Sequence, residues 1–316
     1  MLLTLLGLST LIFGLMRMAP GNPVDLMFNP SGGRVSALSA EDLARDRAEL
    51  SHELGLDQPI PVQYVDWLEQ VVLHGNLGYS IVNSQPAADL VLGRVPATLL
   101  LLGSGLLISL IVGVPLGIVA ALHRNRILDT VISVAGLTVV ATPTFFLGLA
   151  LIVVFAVHLH WLPSGNLSTP GPNTSVLDVL RHMVLPVLVL GLGGAGPMMR
   201  YVRTSLLETL GREYLVTARA KGLTENRVIY KHALRNALLP VITLVGLSIG
   251  GLAAGAFVTE QVFSWPGMGS LALQAIQNRD YPVIQTYAVV IGFMVIVGNF
   301  LADVAYAVAD PRIRLS

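Results

Sequence analysis

Residues 97–121 read ATLLLLGSGLLISLIVGVPLGIVAA, a run without a single charged side chain. An α-helix of about 20 apolar residues spans the roughly 30 Å hydrocarbon core of a bilayer. Further apolar runs lie at 1–18, 130–158, 181–200, 237–259 and 285–308, and Pro186 and Pro197 interrupt the fourth run of the six. The sequence therefore predicts an all-α membrane protein with six transmembrane helices.

The overall composition agrees with this class. Charged residues make up 12% of the chain, hydrophobic residues 53%, and the mean hydropathy is +0.71, whereas a soluble domain usually carries about a quarter charged residues. The formal net charge is zero, which gives no reason to expect a nucleic-acid partner. The chain has no cysteine, which excludes disulfides and thiolate sites.

Lys and Arg are unevenly distributed between the segments that join the apolar runs. With the N-terminus inside, twelve of them fall in segments 122–129, 200–236 and the tail, and six fall in the outer segments. Cytoplasmic loops carry an excess of Lys and Arg, so we predict that both termini are cytoplasmic. The alternative, a cleaved signal peptide at 1–18, is disfavoured because no basic residue precedes the apolar run.

The predicted organisation has three parts: a first transmembrane helix at 1–19, an extracytoplasmic segment at 20–96, and a five-helix core at 97–316. In the extracytoplasmic segment, Tyr64, Trp67 and Leu68 recur at helical spacing. A connection this long with its own pattern is usually functional. The alternative is a small cap that packs on the helix bundle.

Two nucleotide-binding patterns are tested and rejected. The chain has two lysines, Lys221 and Lys231, and neither follows the Gly-rich loop that holds ATP phosphates. Gly191, Gly193 and Gly196 spell the G-x-G-x-x-G of a dinucleotide site but lie inside an apolar run, with no room for the sheet that the site requires. Close packing of membrane helices explains these glycines better.

Two other patterns are also rejected, so no catalytic residue and no metal ligand is assigned. Residues 246–250 read GLSIG, but a nucleophile elbow needs a strand, a turn and a helix, and this stretch lies inside the fifth apolar run. His158 and His160 form at most part of a metal site, because no third ligand is near in sequence.

The most informative stretch is 213–240, which reads EYLVTARAKGLTENRVIYKHALRNALLP. Good helix formers continue to Lys221, and Gly222 is placed to end that helix in a left-handed turn. Thr224 is positioned as the N-cap of a second helix, with Glu225 in its first turn. The pattern predicts a helical hairpin that leads into the fifth span. The alternative is a basic loop attracted to anionic membrane lipid.

This hairpin resembles the coupling loop, here about 200–236, of bacterial ABC-importer permeases, specifically the dipeptide/oligopeptide uptake family. The resemblance extends over nearly the whole chain in ordered motifs: APGNP at 19–23, LGLDQP at 54–59, GNLG at 75–78, RVPAT at 94–98, EQVFSWPGMG at 260–269 and DPR at 310–312. The general Glu-Ala-Ala of the coupling loop is replaced by Val216-Thr217-Ala218, and Asn76 stands where the family has an acid. The first of these departures, in the coupling loop, is similar to the peptide-permease branch.

The resemblance implies a bacterial inner-membrane protein that forms half of a translocation pathway with a second homologous permease. ATP and Mg would be bound by two cytoplasmic ABC ATPases, so this chain is not itself an enzyme and holds no cofactor. An extracytoplasmic binding protein would deliver the peptide. The residues expected to contact the ATPases are Thr217, Ala218, Arg219, Ala220, Lys221, Gly222, Leu223 and Thr224.

The other expected sites concern delivery and passage. The residues expected to dock the binding protein are Asp57, Tyr64, Trp67, Gly75 and Gly78. Ionisable residues in a membrane are functional candidates, so Glu260 and Asp303 are expected along the pathway.

Three alternatives remain. The first is that the chain is a permease for nickel or glutathione, because such permeases are very similar to the peptide permeases. The second is an ion-coupled secondary transporter, a class in which broken helices with ionisable groups at the membrane midplane are expected. A membrane receptor or scaffold built around the extracytoplasmic segment would not explain the hairpin.

Overall fold

The structure is a computed structural model. It describes residues 57–171, 175–238 and 256–309, together with 6–7, 9–11, 13–14, 17, 44–45, 48–49, 51–52, 241 and 245; the side chains of 302, 303 and 305–309 are not described. Most of the predicted first and fifth spans, the 246–250 motif and the tail motif therefore lie outside the described residues.

Most of the described residues are helical; the others form turns, bends and irregular segments such as 159–171, with one isolated bridge between Tyr79 and Pro86. The helices are α1 (Ile60–His74), α2 (Ala87–Leu92), α3 (Val95–Leu122), α4 (Ile127–Ala141), α5 (Thr144–Leu151, continued by a π-helical turn Ile152–His158), α6 (Val176–Leu210), α7 (Glu213–Ala220), α8 (Glu225–Arg227, continued by a π-helical turn Val228–Ala233), α9 (Met268–Gln277) and α10 (Tyr281–Ala309).

Three described helices are long and apolar enough to cross a bilayer: Ala87–Leu122, Val176–Leu210 and Tyr281–Leu301. A fourth crossing is formed if α4 and α5 with its π-helical turn count as one span. Helices thus coincide with the predicted runs 97–121, 181–200 and 285–308, and α6 continues through Pro186 and Pro197. The total of six spans stays a prediction.

The run 130–158, predicted as one span, is instead bent by 100° between α4 and α5. Thr142 is extended, with φ −83° and ψ 124°, and Pro143 precedes the first residue of α5. Proline disfavours helical geometry at the residue before it and lacks the N–H that would continue the ladder. The local sequence Thr142-Pro143 therefore causes the bend.

The chain divides into two compact units. One comprises the residues up to Pro96 and Leu271–Met294, and the other comprises Ala97–Ser270 and the residues from Val295. In the second unit, α3 packs on α6 through small residues. A Cβ atom added to Gly117 would lie 2.6 Å from the Met199 carbonyl oxygen, and one added to Gly113 would lie 2.8 Å from that of Ala195. The two helices meet at backbone distance because these positions lack side chains.

The glycines of the rejected dinucleotide pattern show the same packing. A Cβ on Gly191 would overlap Ile108, and one on Gly196 would lie 2.8 Å from the Gly136 carbonyl oxygen on α4. A Cβ added to Gly193 would have no atom within 4 Å. Close packing is therefore confirmed as the reason for two of the three glycines.

An ion pair fixes α4 against α6 in the same unit. Arg203 donates from Nε and Nη2 to the two carboxylate oxygens of Asp129, at 2.7 and 2.8 Å. The Asn125 backbone N–H also donates to Asp129, at 3.0 Å. Asp129 is almost fully buried, and bidentate arginine–carboxylate pairs hold planar geometry. The sequence reasoning did not select this pair, whose members are 74 residues apart.

Candidate functional site

The hairpin formed by α7, the turn 221–224 and α8 with its π-helical turn is seated on a buried apolar cluster. The buried members of the cluster are Ala121 at the end of α3, Leu206 on α6, and Leu215, Val228, Ala233 and Ala237 of the hairpin and the helical residues that follow it. Ala218 and Leu223 pack against this cluster and are half-buried. Apolar contacts on both arms pack the hairpin against the ends of α3 and α6.

The turn has the hydrogen bonds of a Schellman motif. The Leu223 N–H donates to the Ala218 carbonyl at 3.4 Å, and the Gly222 N–H donates to the Arg219 carbonyl at 2.9 Å. Gly222 has φ +77°, a conformation that residues with a Cβ adopt only at a cost. The predicted left-handed turn at Gly222 is therefore confirmed.

The second helix of the hairpin begins where the sequence predicts, but without the capping hydrogen bond that a threonine side chain can make. Thr224 is the N-cap residue, with φ −63° and ψ 144°, but its side chain makes no capping hydrogen bond. Its carbonyl instead accepts from the Arg227 N–H at 2.9 Å. Glu225 lies in the first turn as expected.

A bidentate ion pair links the two arms across the turn. Arg219 donates from Nε and Nη2 to Glu225, at 3.0 and 2.8 Å. The hydrogen bond from Arg219 lowers the pKa of Glu225 below its ordinary value of 4.5, and the same bond raises the pKa of Arg219. Both side chains are exposed, so the pair restrains the turn without dominating the stability of the chain.

The pH dependence of this pair gives a first prediction. Because the Glu225 pKa is lowered on folding, its contribution is complete above about 4.5 and is lost as the pH falls through the folded pKa. We expect amide hydrogen exchange at 221–223 to be slower in the wild type than in Glu225→Gln at neutral pH, and the two proteins to converge as the pH falls through the lowered pKa of Glu225. Comparing the two proteins at the same pH removes the intrinsic pH dependence of amide exchange, which is the same for both. A difference that stays constant into acid would contradict the prediction.

Six of the eight predicted coupling residues are exposed. Only Ala218 and Leu223 are half-buried, where they hold the turn on the apolar cluster, and the rest face outward: Thr217, Arg219, Ala220, Lys221, Gly222 and Thr224. The structure therefore places the eight residues together at the end of α7 and the turn that follows it, with six of them exposed. Val216 and Tyr230, which are 61% and 56% exposed, add apolar surface to the hairpin that the sequence reasoning did not select.

The predicted docking residues lie in the other compact unit. The hydroxyl groups of Tyr64 and Ser9 share a hydrogen bond of 2.9 Å. The Tyr64 ring packs edge-on against the Phe13 ring, with 5.4 Å between the ring centroids. Trp67 stacks on Tyr64 at 6.0 Å. Both aromatic side chains are half-buried and contact residues of the first predicted span. Their docking role stays a prediction, and these contacts show that they also hold α1 in place.

The other three predicted docking residues are exposed or half-buried at the two ends of α1. Asp57 accepts from His52 at 2.8 Å, and this bond lowers the pKa of Asp57 and raises that of His52. Gly75 ends α1 with φ +62° and Gly78 follows with φ +86°. These glycines start a loop, residues 75–84, that carries the exposed side chains Tyr79 and Val82.

Of the two predicted pathway residues, Glu260 is fully buried. Its carboxylate accepts from the Thr98 hydroxyl at 2.8 Å and from the Ser270 N–H at 3.0 Å. Thr98 in turn accepts from the Met268 N–H at 2.8 Å. A Cβ on Gly267 would overlap the Glu260 carboxylate, so Glu260 organises the turn that leads into α9. Its place along a pathway stays a prediction, as does that of Asp303, whose side chain lies outside the described part of the chain.

Comparison with known families gives matches along almost the whole sequence. Residues 113–315 match the family model described as "Binding-protein-dependent transport system inner membrane component". Residues 1–102 match the model of the N-terminal part of the same membrane components. The chain belongs to this family. As a binding-protein-dependent transport component, it is a multi-pass protein of the inner membrane.

Several curated relatives of this transport component are similar over nearly their full length. A putative peptide permease of Brucella suis is 47% identical, covering 99% of this chain and 95% of the relative. The oligopeptide permease AppB of Bacillus subtilis is 40% identical and the dipeptide permease DppB of Escherichia coli is 39% identical, each covering 98% of this chain and 95% of the relative.

A solved structure is similar in fold. An inward-facing MetNI methionine ABC transporter matches with a TM-score of 0.57 and 20% identity, covering 70% of this chain and 96% of that chain. The fold of the transport component is therefore that of an ABC-transporter permease.

Proposed function

We propose that this chain is the permease subunit of an ATP-driven importer for dipeptides and oligopeptides. One observation carries the proposal: the relatives that are 39–47% identical over at least 98% of the chain are peptide, oligopeptide and dipeptide permeases. The family description adds that transport depends on a binding protein. The chain would form half of the translocation pathway, and a second homologous permease would form the other half.

The hairpin of α7 and α8 is the proposed contact with the ATPases. Thr217–Thr224 project as an exposed turn, while Ala218 and Leu223 anchor it to the cluster that includes α3 and α6. A rigid element with an exposed tip and a buried base suits the transmission of a push from ATPase closure into the membrane helices. Two cytoplasmic ATPases would bind ATP and Mg and perform hydrolysis.

The orientation follows from this assignment. If the hairpin is cytoplasmic, the six predicted spans would place both termini in the cytoplasm and the segment 20–96 outside, where a peptide-binding protein would deliver its cargo. Tyr79 and Val82, which are 63% and 54% exposed, add to the predicted docking residues. Exposed aromatic and apolar side chains beside polar backbone are typical of protein interfaces.

The test is affinity purification of the chain from membranes in mild detergent, followed by reconstitution of the recovered complex with its binding protein. We expect a second permease and ATPase subunits to co-purify, and uptake of a labelled dipeptide to require ATP. Competition by unlabelled dipeptide, but not by nickel or glutathione, identifies the substrate class. A chain that transports alone, driven by an ion gradient, would overturn the proposal.

A further inference from the structure

The loop 75–84 is held by a buried carboxylate that is distant in sequence. Ser80 donates its hydroxyl to Asp280, and the Ile81 N–H donates to the other carboxylate oxygen of Asp280 at 3.1 Å. Ser80 and Asp280 are 3% and 2% exposed. A buried carboxylate is costly unless its oxygens are hydrogen-bonded, and here both donors come from a loop 200 residues away.

The loop itself has a defined shape that depends on Ser80. The Ser80 hydroxyl oxygen accepts from the Asn83 N–H at 3.0 Å. The backbone N–H of Ser80 donates to the Gln85 carbonyl at 2.8 Å. The Ala87 N–H donates to the Gly78 carbonyl at 2.9 Å. Ser80 therefore closes the loop on itself and also joins it to Asp280.

Two further contacts place this loop on the beginning of α10. A Cβ added to Gly78 would lie 3.2 Å from Cβ of Pro282, so the loop backbone lies directly against the first turn of the helix. The hydroxyl of Thr286, which is fully buried, donates to the Pro282 carbonyl at 2.8 Å and lies 3.5 Å from the Leu77 carbonyl oxygen. The contacts from Asp280, Pro282 and Thr286 all converge on the stretch 77–81.

From this geometry we infer that Asp280 is a positioning residue for the delivery step: it holds the loop 75–84 in the shape that receives the binding protein and fixes the loop to the start of the last helix. This inference rests on the proposed function. Tyr79, which is 63% exposed, is adjacent to the anchored Ser80, so the anchor determines where its ring stands. Asp280 itself is buried and acts through the loop.

The test measures ATPase stimulation of the complete reconstituted transporter as a function of the concentration of its peptide-binding protein, which is added loaded with dialanine. For Asp280→Ala we expect the half-saturating concentration to rise about tenfold, the effect of losing a charge-assisted hydrogen-bond pair. The maximal rate and the rate without binding protein should stay near those of the wild type. Ser80→Ala should raise the half-saturating concentration by a smaller factor. Asp280→Asn should have a half-saturating concentration between those of the wild type and Asp280→Ala.

The matched control is Asp89→Ala, which removes an exposed carboxylate from the same unit and should leave the half-saturating concentration unchanged. If Asp280→Ala does not assemble, Ser80→Ala carries the test, because it breaks the anchor without removing a charge. A fall in maximal rate at unchanged half-saturation in either variant would show a purely structural role and overturn the inference. Lack of any stimulation in the wild type would overturn the proposed function as well.

Discussion

Gly222→Val is expected to reduce ATP-driven import by about tenfold while the chain still reaches the membrane. Gly222 occupies the left-handed position of the turn with φ +77°, and a β-branched residue there costs about 1–3 kcal/mol. Such a cost shifts a local equilibrium by a factor of about 5–160. The turn therefore leaves its native shape in a larger fraction of molecules, and we expect ATP hydrolysis in the partner subunits to move the permease helices less often.

The control is Gly211→Val, at the other end of α7. Gly211 has φ −82°, and the nearest atom to an added Cβ is the Glu208 carbonyl oxygen at 3.5 Å, an ordinary contact. Both substitutions add the same side chain to an exposed glycine of the same hairpin region. Import and ATP hydrolysis are measured together in proteoliposomes at matched protein levels. Wild-type import by Gly222→Val would refute the coupling role of the turn.

Gly117→Leu is expected to destabilise the membrane core by about 3 kcal/mol, at the upper end of overpacking effects. The added Cβ alone would lie 2.6 Å from the Met199 carbonyl oxygen and 2.7 Å from Cβ of Val202. The first of these atoms is backbone and cannot rotate away, so α3 and α6 must separate. Their separation also disturbs the ends of both helices, on which the hairpin is seated.

The measurement is the melting temperature of the isolated chain in detergent, for which we expect a fall on the order of 10 °C. Gly103→Leu, on the same helix, is the control because no atom lies within 4 Å of its added Cβ. Leucine has a higher helix propensity than glycine by about 0.8 kcal/mol, so this control should match or exceed the wild type. Equal melting temperatures for the two variants would show that α3 and α6 do not pack as described.

Much of the candidate site could be predicted because its signals are local. Gly222 follows a run of helix formers, and the left-handed turn forms where that pattern places it. The position of Thr224 as N-cap was predictable for the same reason, although its side chain makes no capping bond. The bend at Pro143 was also present in the local sequence, because a proline restricts the residue before it, but the apolar run alone suggested a single span.

The side-chain partners could not be predicted in this way. Tyr64 and Trp67 occur at helical spacing, which shows that they share one face of α1 but not that this face packs against Phe13. Likewise, the small residues of α3 indicate close packing, but only the contact with α6 distinguishes Gly117 from Gly103.

The sequence by itself determined the class of the protein, the apolar helices and the left-handed turn between α7 and α8, because hydrophobic run length and backbone preference act over a few residues. Only the tertiary structure decided which buried polar groups meet. Asp129 with Arg203, Thr98 with Glu260 and Ser80 with Asp280 join residues 74, 162 and 200 positions apart. A buried charge must find a partner wherever the packed helices provide one, and that choice depends on packing rather than on neighbouring residues.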